Sequence, residues 1–130
     1  MVILYADDDK EDLDLFTEVV KQINPSYTVI MAENGLEAVK MLSQPIGTTP
    51  DIIFLDINMP IMDGFETLVE IRKDKRYRNT KIILYSTGII PKMQDTYRSF
   101  NVQFVKKEKA FGHIKKSIEQ VIGREHPDVI

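Results

Sequence analysis

Four consecutive apolar residues, Ile52-Ile53-Phe54-Leu55, run directly into Asp56, and Pro60 and Gly64 close the segment. A short apolar run bounded by turn residues is the pattern of a strand buried on both faces, so this stretch predicts a core strand that ends on a carboxylate and turns at once. Such a strand needs helices on both sides of its sheet. The chain supplies them in alternation. Val2–Ala6, Tyr27–Ala32, Lys81–Tyr85 and Val102–Val105 are four further strand-like runs. Between and after the five runs, apolar residues recur at intervals of three and four, the mark of one helix face. They are Leu13, Phe16, Val20 and Ile23; Leu36, Val39 and Leu42; Phe65, Leu68, Val69 and Ile71, bracketed by Arg72; Met93, Tyr97 and Phe100; and Phe111, Ile114, Ile118, Val121 and Ile122. Asp9 and Asn34 are suited to cap the first two helices, and Pro91 suits the first turn of the fourth. The fourth helix has a thin apolar stripe, which leaves it available to a partner. Gln44–Pro50 reads as a solvent-facing loop, and Asp74–Asn79 is polar apart from Tyr77.

Five strands alternating with five helices predict an α/β fold, a three-layer αβα sandwich around a parallel sheet. Its crossovers should be right-handed, and its ligands should bind beyond the carboxyl ends of the strands. The residues at that rim are Asp7 and Asp8 after the first strand, Asp56 after the third, Ser86 after the fourth and Lys106 after the fifth. With 130 residues the chain is read as one domain, residues 1–130, with a core at 2–122 and a short tail at 123–130. The absence of cysteine excludes disulfides and thiolate chemistry, and no apolar run approaches the length of a membrane span, so a soluble, cytoplasmic protein is expected. A formal charge of -3 argues against general nucleic-acid binding. His113 and His126 have no companion at metal-ligand spacing, and the glycines form no nucleotide-binding pattern.

Three carboxylates, a hydroxyl and an ammonium at one rim point to a particular chemistry. Clustered carboxylates repel one another unless a cation satisfies them, and an all-oxygen set suits a hard ion such as Mg²⁺. A cation held by few protein oxygens keeps positions open for a phosphoryl group, whose oxygens a lysine and a hydroxyl can meet. A carboxylate facing the phosphorus can then be the nucleophile and form an acyl phosphate.

With those residues in view, the sequence resembles the receiver domain of two-component response regulators from Ile3 to about Ile122. The resemblance rests on Asp7-Asp8, on Leu55-Asp56-Ile57-Asn58-Met59-Pro60 leading to Asp63-Gly64, on Ser86 and on Lys106. It implies the flavodoxin-like sheet order 2-1-3-4-5 and phosphorylation of Asp56 by a sensor histidine kinase or a histidine phosphotransfer protein. It further implies that Asp8 and Asp56 are the side-chain ligands of Mg²⁺, with Asp7 helping directly or through water and the Asn58 backbone carbonyl completing the set. Lys106 would pair with the phosphoryl oxygens and Ser86 would move to bond one of them. Asn58 and Thr87 would influence how long the phosphoryl group persists.

Two positions depart from the family pattern. An aromatic residue is usual three positions before the lysine, where Gln103 stands relative to Lys106, and proline is common directly after it, where Lys107 stands. Both lie on the output face that the resemblance implies, with Ser86, Tyr97 and Phe104. The expected function is that of a stand-alone, self-phosphorylating signalling receiver, not a turnover enzyme, that docks an unknown downstream protein without inserting in a membrane. An excised piece of a larger regulator is also compatible with the sequence. A phosphate-independent interaction module and a small metal-dependent phosphatase are the alternatives.

Overall fold

The computed structural model describes residues 1–44, 49–88 and 91–125, the side chains of residues 124 and 125 excepted. Its elements in chain order are β1 (Val2–Ala6), α1 (Lys10–Ile23), β2 (Thr28–Ala32), α2 (Gly35–Ser43), β3 (Ile52–Asp56), α3 (Gly64–Lys73), β4 (Lys81–Ser86), α4 (Pro91–Tyr97), β5 (Val102–Lys106) and α5 (Phe111–Glu125). Short 3₁₀ turns at Lys75–Tyr77 and Arg98–Phe100 precede β4 and β5. All strand pairs are parallel and the order is β2-β1-β3-β4-β5, as the resemblance implied.

Side-chain alternation along the strands divides the core into two layers. Ile3 and Tyr5 of β1, Ile52 and Phe54 of β3 and Ile83 and Tyr85 of β4 pack with Phe16, Val20, Ile118 and Ile122 of α1 and α5. Leu4, Leu55 and Leu84 face the opposite way, toward Leu42 of α2 and Leu68 and Ile71 of α3. The central strand β3 is buried at every position, which is why its sequence is continuously apolar up to the acid. The first layer is unusually aromatic. Tyr5 and Phe16 lie 4.3 Å apart between ring centroids, Phe16 and Phe54 4.9 Å, and Tyr85 closes edge-on against Phe54 at 5.8 Å. This stack is the floor beneath the carboxyl ends of β1, β3 and β4.

The helix starts follow from the caps expected of them. The Asp9 carboxylate accepts from the backbone N–H groups of Glu11 and Asp12, and the Asn34 side chain accepts from that of Glu37. Asp63 and Glu66 form a reciprocal capping box at the start of α3. Helix α4 buries no residue completely, and Met93, Tyr97 and Phe100 are its and its following turn's only half-buried side chains, in keeping with a thin stripe. Tyr97 stacks on Phe65 of α3 at 4.4 Å.

Four boundaries and one side-chain role differ from expectation: β2 starts at Thr28, one residue late, and β4 ends at Ser86, one residue beyond Tyr85. Strand β5 is one residue longer, because Lys106 still pairs in register with Ser86. Helix α5 continues through Gly123 to Glu125, so the tail does not begin at residue 123; a glycine in a helix costs only about 1 kcal/mol and does not by itself end one. Arg72, read as an edge of the apolar face, is instead a clamp, its guanidinium donating to the carbonyls of Phe100, Tyr77, Arg78, Thr80 and Asn101. It ties the end of α3 to the entries of β4 and β5. Most of the Gln44–Pro50 loop and the last five residues, among them His126, lie outside the described residues.

Gly64 has the closest packing constraint near the rim. Its N–H donates to the Ile57 carbonyl at 2.9 Å, and a Cβ there would lie 2.5 Å from the Asp56 carbonyl oxygen and 2.8 Å from the Ile57 Cα. Both neighbours are backbone and cannot swing aside. Gly64→Ala should therefore destabilise the fold by about 1–3 kcal/mol, read as a lower urea midpoint, whereas Gly112→Ala, with nothing within 4 Å of its Cβ, should not.

Candidate functional site

The register of the sheet brings three carboxylates to one point. Asp7 follows β1 directly and its N–H donates to the Ala32 carbonyl of β2 at 3.0 Å. Asp56 is the last residue of β3 and pairs with Tyr85 of β4, which places Ser86 one step beyond it on the neighbouring strand. Asp7, Asp56 and Ser86 are buried, and Asp8 is exposed. Asp7, Asp8 and Asp56 can each offer a carboxylate oxygen within 4.8 Å of the other two.

The ammonium that meets them is that of Lys107, not Lys106. Its Nζ lies 2.6 Å from Asp7 Oδ2, 3.0 Å from Asp12 Oδ2 and 3.4 Å from Asp56 Oδ1. Lys106 is exposed. The reason is the extra residue of β5 together with the two-residue period of a strand, in which a slip of one position turns a side chain to the other face. Phe104 packs with the α2/α3 layer and Val105 with the α1/α5 layer. Lys106 falls in phase with Phe104, and Lys107 leaves the strand toward the acids. The Lys107 N–H also donates to the Ser86 carbonyl at 2.8 Å, which joins the ends of β4 and β5.

This shift also revises the departures from the family pattern. Counted from Lys107, the position three residues earlier is Phe104, an aromatic, and Gln103 is not in that place. The position after the lysine is Glu108, still not proline. Lys107 therefore belongs to the acidic site and not to an exposed docking face, while Tyr97 and Phe104 are half-buried on the α3/α4 side.

Asp7 is largely occupied by the protein itself. Its Oδ2 accepts from the Tyr5 hydroxyl as well as from Lys107, and its Oδ1 accepts from the Asp9 N–H at 3.0 Å. The less committed oxygens of the trio are those of Asp8 and Asp56. Tyr5 and Asp12 were not anticipated as parts of the site. Tyr5 lies within an apolar run and Asp12 within a helix start, and only the tertiary approach of Lys107 reveals their role. The lysine was findable, because Phe104 and Lys107 together restore the aromatic spacing that Lys106 breaks.

Electrostatics follow from this crowding. Burial, and then the charge of Asp7, pushes the Asp56 carboxyl up to about 6, against a smaller opposing pull from Lys107. Burial works against the Lys107 ammonium, but its hydrogen bonds to Asp7 and Asp12 and the charge of Asp56 outweigh that and hold its pKa above the usual lysine range. The Tyr5 hydroxyl is raised by burial and by the adjoining Asp7 charge, so it remains a donor. An oxygen-only set with excess negative charge fits a hard divalent cation better than a soft one.

A family model for the response regulator receiver domain matches residues 3–120. The chain belongs to this family. Among solved receivers, the Mn²⁺-bound form of response regulator Rcp1 superposes with a TM-score of 0.83 at 25% identity, covering 99% of this chain and 96% of that one. The N-terminal domain of a response regulator receiver protein from Methanoculleus marisnigri JR1 superposes with a TM-score of 0.73 at 29% identity, over 95% of this chain and 97% of that one. In sequence, Rcp1 of Synechocystis sp. is 32% identical over 91 residues, 67% of this chain and 62% of that protein. The receiver spans 11%, 62% and 50% of three curated relatives, namely a sensor histidine kinase CheAY of Helicobacter pylori, Rcp1 and a probable C4-dicarboxylate response regulator of Priestia megaterium. Among the described residues no helix is long and apolar enough to cross a membrane. The fold and the acidic cluster are those of receiver domains, which are self-phosphorylating signalling modules and not turnover enzymes.

The raised Asp56 pKa has a defined linkage. The folded receiver holds this proton more tightly than the unfolded chain, whose carboxyl titrates near 3.8. Ionised Asp56 therefore costs stability above pH about 6, and the cost vanishes below about 3.8. Without divalent cation, Asp56→Asn should be more stable than wild type at pH 8 by up to about 3 kcal/mol. That advantage should shrink as pH falls through the window between those two values, as measured by urea unfolding. An equal advantage at both ends would contradict it.

Proposed function

We propose that this receiver accepts a phosphoryl group on Asp56 and changes its docking to a protein partner as a result. The observation that carries the reading is the largely enclosed ammonium of Lys107 at 3.4 Å from Asp56, beside a carboxylate trio able to share a cation. In the transfer, an Asp56 oxygen forms a bond to phosphorus while the bond from phosphorus to the donor breaks. The donor is a phosphohistidine of a sensor kinase or phosphotransfer protein, whose imidazole leaves neutral when its other ring nitrogen is protonated, or acetyl phosphate, which leaves as acetate. Mg²⁺ is the cation we assign, supplying charge compensation to donor and acceptor oxygens. Asp8 and Asp56 would hold it with the Asn58 carbonyl, and Asp7, whose oxygens are mostly taken, would contribute its remaining lone pair or a bridging water.

Lys107, in place of Lys106, meets the phosphoryl oxygens in this reading, and Ser86 donates to one of them. The Ser86 carbonyl is already bonded to the Lys107 N–H, so movement at Ser86 is felt in β5. Phe104 of β5, in the same packed cluster as Tyr97, and Tyr97 on α4 would carry that movement to an output face. Gln103 then has no gating role, and the downstream protein is identified only as one that reads this face.

Intact-protein mass after incubation with acetyl phosphate and Mg²⁺ tests the assignment. One phosphoryl adduct is expected on wild type and none on Asp56→Asn or without divalent cation. Lys107→Ala should slow its formation by roughly ten- to hundredfold, while Lys106→Ala should leave it unchanged. The reverse ranking of the two lysines would return the role to Lys106. Absence of the adduct together with failure to bind beryllofluoride would favour a phosphate-independent docking module.

A further inference from the structure

We propose that Asp12 is a positioning residue for transfer to Asp56: with Asp7 it fixes the Lys107 ammonium so that a remaining N–H faces the incoming phosphoryl group. The inference rests on the phosphoacceptor reading above. A lysine head is a flexible point charge with three donors on a four-carbon stem, so something must hold it where it is needed. Asp7 at 2.6 Å and Asp12 at 3.0 Å take two hydrogen bonds. Asp56 Oδ1, at 3.4 Å, is the longest of the three contacts, so the donor on the side where phosphorus must arrive is the least firmly held and the most readily turned to a phosphoryl oxygen.

The presentation of Asp12 is itself constrained. The Asp9 carboxylate accepts from both the Glu11 and Asp12 N–H groups, and the Asp9 N–H in turn donates to Asp7 Oδ1. The contacts therefore close a ring running from Asp7 through Asp9 and the first turn of α1 to Asp12, then through Lys107 back to Asp7. A first-turn acid also favours the helix dipole whatever it touches. Glu11 shares that placement, is exposed, and forms no hydrogen bond or ion pair with the lysine, so it isolates the general effect from the specific one.

The experiment measures initial rates of acyl phosphate formation across acetyl phosphate concentrations at saturating Mg²⁺, in wild type, Asp12→Ala, Asp12→Asn, Glu11→Ala, Lys107→Ala and the Asp12→Ala/Lys107→Ala double variant. Asp12→Ala should lower the maximal rate about tenfold with little change in half-saturating donor. Asp12→Asn, which keeps an acceptor oxygen, should fall between, and Glu11→Ala should match wild type. In the Lys107→Ala background the Asp12 substitution should cost less than about twofold, because its only route to the reaction is gone. Thermal unfolding of the same set without Mg²⁺, with a Glu11→Ala/Lys107→Ala double variant added, should show coupling between positions 12 and 107 and none between 11 and 107. If Lys107→Ala reacts too slowly to follow, beryllofluoride affinity completes the same cycle. A tenfold loss that persists without Lys107, a loss shared by Glu11→Ala, or no loss at all would each overturn the role of Asp12. Failure of wild type to form any adduct would instead overturn the phosphoacceptor reading beneath it.

Discussion

Everything at the rim depends on one buried ammonium shared among carboxylates. Lys107 has only about a tenth of its side chain exposed, and Asp7 almost none. Neither charge could be so placed alone, since an unpaired ion in such surroundings costs several kcal/mol. Yet a single lysine facing Asp7, Asp12 and Asp56, with Asp8 nearby, leaves the cluster negative. The raised carboxyl of Asp56 is the physical expression of that imbalance. A divalent cation would relieve it, whereas an acyl phosphate in place of the Asp56 carboxylate would add negative charge and strengthen the hold on cation and lysine. The site is therefore balanced differently in each chemical state, which is the property a switch requires.

The sheet makes this concentration of charge possible. Parallel strands of matched length deliver Asp7 and Asp56 to the same edge, and the aromatic floor of Tyr5, Phe16, Phe54 and Tyr85 gives that edge a rigid base. Tyr5 does two things at once. Its ring packs in the core and its hydroxyl donates to Asp7, so the apolar layer and the polar rim are joined by one side chain. Gly64 adds the third constraint by letting the start of α3 close against the backbone of Asp56 and Ile57.

Much of this was legible in the sequence because it is written in local pattern. Continuous apolar runs mark strands buried on both faces, three-and-four spacing marks the helices, and Asp9, Asn34 and Pro91 mark starts that the structure contains. Asp7, Asp8 and Asp56 were identifiable because each stands at the end of such a run. The site lysine was misplaced by one because Lys106-Lys107 offers no hydropathy contrast, and an apolar count ends the fifth strand at Val105 while hydrogen bonding carries it to Lys106. Arg72 and Asp12 were beyond reach for a different reason. A guanidinium bonded to five carbonyls and a helix acid bonded to a lysine 95 residues away are created by tertiary approach, and nothing in their neighbours' sequence encodes it.

The one-residue shift in β5 has consequences beyond the identity of the lysine. If Lys106 were the inward residue, strand alternation would turn Phe104 toward the aromatic layer of α1 and α5 and leave Gln103 facing α3 and α4. The observed register does the opposite, with Phe104 packing beside the layer that also holds Tyr97 and Phe100. Ser86 and Lys107 are bonded through the backbone, and Phe104 lies opposite Leu84, two residues before Ser86 on the adjoining strand. A displacement at the acidic rim thus has a packed path along two paired strands to the half-buried Tyr97 of α4 and Phe100 of the turn that follows it. The same alternation that hides Lys107 among the acids sets Phe104 on the face where that displacement can be read.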